Sequence, residues 1–119
     1  MQERTVDLRN LVKQIVEQKQ LNANLSLEFD CTLQTTDHIP LVKVINYIMN
    51  YLSPLSSNKM EISLNAAEDS YLLSFIVATD KTELEPINEQ VKTVLADYHG
   101  TLSVIHEQGK YVQIQVKFE

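Results

Sequence analysis

Apolar residues recur along the chain in two rhythms, and each change of rhythm marks an element. Leu8, Leu11, Val12, Ile15 and Val16 repeat at helical spacing, with Asp7 or Thr5 as the N-cap. The stretch from Asn22 to Asn24 interrupts that period. Leu25, Leu27, Phe29, Cys31 and Leu33 then alternate with Ser26, Glu28, Asp30 and Thr32, which predicts one half-buried strand. Asp37 and Pro40 suit a helix N-cap and first turn. Leu41, Val44, Ile45, Ile48, Met49 and Leu52 follow as a wide apolar stripe that Pro54 ends.

Met60, Ile62, Leu64 and Ala66 alternate again, and Glu68 to Ser70 turn the chain into Tyr71–Ala78. That segment is apolar on both faces, which predicts a central strand. Pro86 opens a third helix with Ile87, Val91, Val94, Leu95 and Tyr98 on one side. His99-Gly100 ends it, with Gly100 placed to take the left-handed conformation beyond the last turn. Thr101–His106 and Tyr111–Phe118 read as the last two strands, joined by a turn containing Gly109. The predicted order is α-β-α-β-β-α-β-β. Three strands have one polar face, so the helices belong on the other, giving an α/β (α+β) two-layer sandwich with a mixed sheet.

Composition narrows the function more than the fold. A chain of 119 residues without repeat or linker reads as a single domain, residues 1–119. No apolar stretch approaches the roughly 20 residues that cross a bilayer. The polar opening Met-Gln-Glu-Arg-Thr does not suit a signal peptide. A lone cysteine, Cys31, excludes an internal disulfide and favours a reducing, cytoplasmic compartment. Ten basic against sixteen acidic residues give a net charge of −6, and no two basic residues adjoin, which disfavours a nucleic-acid partner.

The element order and two local segments resemble the ATPase domain of histidine kinases, within the gyrase, Hsp90, histidine-kinase and MutL superfamily. Val44-Ile-Asn-Tyr-Ile-Met-Asn-Tyr-Leu-Ser is similar to the family's asparagine box, with Asn46 and Asn50 one turn apart. Val94-Leu-Ala-Asp-Tyr-His-Gly-Thr-Leu-Ser-Val resembles the stretch after its second glycine box. Val6-Asp-Leu-Arg-Asn-Leu-Val matches the usual passage from the dimerisation helices. The resemblance spans Val6 to Phe118.

It implies site positions, and at each one this sequence departs from the family. Asn50 falls where the Mg²⁺-binding asparagine lies, with Asn46 beside it, but Tyr51 and Ser53 replace a small and a basic residue. Asp80 falls where an aspartate reads adenine, yet Lys81-Thr-Glu-Leu carries none of the expected glycines. The chain has only two glycines, Gly100 and Gly109, so a backbone phosphate cradle at a flexible lid has no material to form from. Glu83 and Glu85 would repel a triphosphate.

The resemblance therefore implies a histidine-kinase-like domain with the ATP lid deleted, no catalytic residues, and no bound cofactor. ATP and Mg²⁺ would bind only through Asn46, Asn50 and Asp80, with Asn50 the one metal position. The plainer reading makes the asparagines the polar edge of an amphipathic helix and Asp80 a turn cap.

His38, His99 and His106 share no metal-ligand spacing, and Cys31 reads as inert packing. Tyr47, Tyr51 and Tyr98 read as core or interface. The expected role is a non-catalytic protein-binding or regulatory module in two-component signalling. Its partner would be a histidine kinase or a response regulator, reached through the first helix or the Thr79 to Pro86 loop. Three other readings stand beside it. One is the ATPase-like domain of a histidine phosphotransferase, which requires a phosphoacceptor hairpin ahead of this chain. The others are a residual nucleotide-binding domain and a homodimer paired through an edge strand.

Overall fold

In a computed structural model, residues 3–119 are described, so Met1 and Gln2 of the polar opening lie outside the described residues. The strands are β1 (Arg4–Asp7), β2 (Ala23–Leu27), β3 (Thr32–Thr35), β4 (Met60–Ala66), β5 (Tyr71–Ala78), β6 (Gly100–Glu107) and β7 (Tyr111–Phe118). The helices are α1 (Leu8–Lys19), α2 (Ile39–Leu52) and α3 (Glu89–Ala96), and a short 3₁₀ turn over Ser53–Leu55 contains Pro54. Five strands form the main sheet in the order β2-β4-β5-β7-β6. β2 runs parallel to β4 and the other neighbours are antiparallel. A parallel pair needs a crossover, which β3 and α2 supply.

All three helices pack on one face of this sheet, and the core lies between the two layers. Val12 and Ile15 of α1, Ile45, Ile48 and Met49 of α2, and Leu95 of α3 meet Ile62, Leu64, Phe75, Ile114 and Val116 in one buried cluster. The predicted stripe of α2 is buried at all six positions. β5 holds the centre of the sheet as its two-sided apolarity required. On the sheet's open face the buried Ser74 accepts a hydrogen bond from Gln113 Nε2 at 2.8 Å.

The strand predicted through Leu33 is broken in two. Asp30 takes a left-handed backbone, φ 63°, which ends the alternation after Leu27. Cys31 stays buried, but Phe29 turns outward and is 70% exposed. Beyond the break, β3 leaves the main sheet and pairs antiparallel with β1. The order is thus β-α-β-β-α-β-β-α-β-β, the predicted series with two short strands added.

Two helix ends also differ from the expectation. α3 starts at Glu89, three residues past Pro86, because Asn88 caps it by accepting from Gln90 N. At its other end His99, not Gly100, takes the left-handed conformation, φ 57°. Gly100 fits its place for a different reason. A Cβ there would lie 3.1 Å from Leu95 O and 3.3 Å from the Phe118 ring.

Candidate functional site

The positions singled out by sequence sit on α2 and at the end of β5. Asn46 spends its amide on its own helix, donating to Val42 O at 3.2 Å. Asn50 is exposed, and its side-chain oxygen accepts from Lys19 Nζ at 2.6 Å. That lysine closes the last turn of α1, where a cation also complements the helix dipole. Asp80 is exposed and lines a shallow depression of about 360 Å³ with Ser56, Ser57 and Lys110. Neither asparagine lines that depression. The fold thus keeps the asparagines one turn apart but does not join them to Asp80 in one cavity.

What fills the neighbourhood is the β5–α3 connection itself. Thr79 N donates to Lys110 O at 3.0 Å, and Lys81 O receives Gly109 N–H at 3.1 Å and His106 Nε2 at 3.1 Å. Those bonds fix the start of the connection to the β6–β7 turn. Its far end is fixed to α2. Tyr51 donates its hydroxyl to Glu85 O, and Tyr47 accepts Asn88 N–H at 3.0 Å. The two rings stack at 6.3 Å between centroids and 25° between planes. Leu84 and Ile87 pack half-buried against the core beneath. Burial first, then Tyr47 and Glu85, push the Tyr51 hydroxyl above its ordinary pKa, so it stays a donor at neutral pH.

Sequence reading found the bulk of Tyr51 but missed what Tyr47 and Tyr51 do together. The signal was present: they repeat at the same i, i+4 spacing as Asn46 and Asn50 and lie on an adjacent stripe of α2. The Lys19–Asn50 bond joins residues 31 positions apart and left no local trace. Nor did the cation–π pair in which Arg9 lies 4.1 Å over the exposed Phe29 ring. Cys31 is fully buried, and burial followed by Glu28, Asp7 and Asp30 raises its thiol pKa, which suits packing and not nucleophilic chemistry. Among the described residues no group of three His, Cys, Asp or Glu side chains is placed to hold a metal ion, and no helix is long and apolar enough to cross a membrane.

No family model and no curated protein matches the sequence. Solved structures match its fold. The mycobacterial sensor histidine kinase MprB superposes with a TM-score of 0.78 at 12% identity, covering 98% of this chain and 96% of that one. The histidine kinase AdeS of Acinetobacter baumannii gives 0.73 at 14% identity, over 100% of this chain and 68% of that one. The histidine kinase domain of the E. coli osmosensor EnvZ gives 0.72 at 8% identity, over 99% and 89%. The chain has the fold of the histidine-kinase ATPase domain. At these identities the likeness is one of fold, and it covers 98% to 100% of this chain.

Proposed function

We propose that this histidine-kinase-type domain is a non-catalytic, protein-binding module of two-component signalling. The observation that carries this reading is the strapped connection. Where the resemblance calls for a mobile, glycine-rich lid, residues 79–88 are fastened at one end to the β6–β7 turn and at the other to α2 by Tyr47 and Tyr51. The residues present do not suit ATP with Mg²⁺. The Asn50 oxygen that would face a cation already holds the Lys19 ammonium. Glu83 and Glu85 would add carboxylates in the segment that the resemblance assigns to the nucleotide, and no glycine there offers backbone N–H groups to phosphates.

A surface for protein recognition fits better. Arg9 holds Phe29 in an exposed position beside α1, and the arginine–aromatic combination is what binding hot spots favour. The natural partners are a kinase's dimerisation helices and a receiver domain.

Calorimetric titration with a non-hydrolysable ATP analogue and Mg²⁺ tests the first half of the proposal. No heat and no thermal shift are expected at millimolar ligand. Saturable binding that Asn50→Ala and Asp80→Ala both abolish would overturn it. The second half is tested by titrating a receiver domain and a pair of dimerisation helices. One of them is expected to bind, and Phe29→Ala to weaken it by at least tenfold, or about 1.4 kcal/mol or more. Unchanged affinity in that variant would move the interface off α1.

A further inference from the structure

We infer that two copies of this chain pair through the outer edge of β6, joining their sheets into one of ten strands. The inference is independent of the nucleotide-site reading. Among the described residues β6 is bonded only to β7, so one side of its backbone has no strand neighbour there. Natural edges of this kind are blunted by lysine, proline or a bulge. β6, Gly-Thr-Leu-Ser-Val-Ile-His-Glu, has neither residue, and its eight residues pair with β7 without interruption. At its middle, Val104 and Ile105 are 40% and 41% exposed. The opposite edge, β2, has only five residues.

The sequence of β6 is self-complementary in one antiparallel register. A two-fold axis perpendicular to the sheet keeps all helices on one side, so facing residues must come from the same face of each copy. Centring the axis on Ser103 sets that residue against itself. Leu102 then faces Val104 of the second copy on the helix side, and Thr101 faces Ile105 on the open side. Both are apolar or β-branched cross-strand pairs of the kind that stabilise sheets. Glu107 is the only formally charged residue of β6. In this register it lies past the last facing pair, Gly100 with His106, so no like charges meet within the pairing. Val104 and Ile105 are covered together, which accounts for their exposure in the single chain.

Sedimentation of the intact chain, from low micromolar to near-millimolar concentration, is expected to show mass rising to twice that of the monomer. Ser103→Lys, which sets two ammonium groups against each other on the axis, is expected to remain monomeric with unaltered circular dichroism. Mild oxidation supplies a positional test, since buried Cys31 is the only native thiol. Ser103→Cys should cross-link to itself. Thr101→Cys should not, because its own copy lies about 14 Å away along the strand at roughly 3.4 Å per residue, beyond the reach of a disulfide. A chain that stays monomeric throughout would overturn the inference. So would a Ser103→Lys dimer as stable as the unmodified one, or equal cross-linking at both positions.

Discussion

Phe75→Ala is expected to remove about 3–5 kcal/mol of stability, a large part of the roughly 5–15 kcal/mol available to a domain. Phe75 is completely buried at the middle of β5, set between Ile62 on β4 and Ile114 on β7, under the helices. Removing the ring takes away its transfer free energy and leaves a cavity that three bonded strands cannot close around. Urea denaturation checks this: the midpoint should fall with the slope unchanged. A loss below about 1 kcal/mol would mean that the site collapses freely, contrary to a close-packed sheet centre. The effect reaches the candidate site, because β5 delivers Thr79 and Asp80 at its end.

The rhythm of the sequence carried the layers but not the breaks. Where apolar residues kept one period over a whole element, as in α2, the prediction of a buried face agrees with the structure. Alternation from Leu25 to Leu33 kept its period across a real break, because Asp30 adopts φ > 0 without any glycine to signal it. Aspartate tolerates that conformation better than most residues, and a chain with two glycines must place such turns on other side chains. Gln20 and His99 are the further cases. The same scarcity that made a phosphate loop implausible thus also hid the ends of elements.

The candidate site was legible as a set of positions and not as an arrangement. Asn46, Asn50 and Asp80 were picked out as candidates because the resemblance to the histidine-kinase ATPase domain rests on local features, a box on one helix and the end of one strand. The side chains that occupy their surroundings come from elsewhere in the chain: Lys19 from α1, Glu85 and Asn88 from the β5–α3 connection. No periodicity links residues so far apart. The absence of glycine after Asp80 led only to the expectation of a missing mobile lid. Only the structure shows that Tyr47 and Tyr51 tie the shortened connection to the helix.

Tyr98→Phe is expected to lose about 1–3 kcal/mol, the penalty for stranding a buried backbone donor. The first turn of α2 has four N–H positions without intrahelical partners, and His38 at the N-cap offers no side-chain bond. Ile39 N instead donates to Asp37 Oδ1 at 3.0 Å, Pro40 has no N–H, and Val42 N reaches His38 O at 3.1 Å. Leu41 N is satisfied only by the Tyr98 hydroxyl, at 3.2 Å, which in turn donates to Asp37 O at 2.7 Å. One phenol from the end of α3 therefore completes the start of α2, and phenylalanine keeps the packing while removing both bonds.

The pH dependence of stability separates this account from a packing effect. Burial, with Asp37 and Asp97 adding to it, raises the Tyr98 pKa despite the opposing bond from Leu41 N–H. A hydroxyl whose pKa is higher folded than unfolded contributes stability that is complete below its unfolded value, near 10.0. That contribution is lost as pH rises through the folded value. The urea midpoint should therefore stay level with respect to this group through neutral pH and fall above about pH 10. In Tyr98→Phe the midpoint should start lower and fall less steeply in the alkaline range. The remaining slope includes Tyr51, whose pKa is raised in the same direction. Parallel alkaline slopes in the two proteins would show that Tyr98 acts through its ring and not through the hydroxyl that joins α3 to α2.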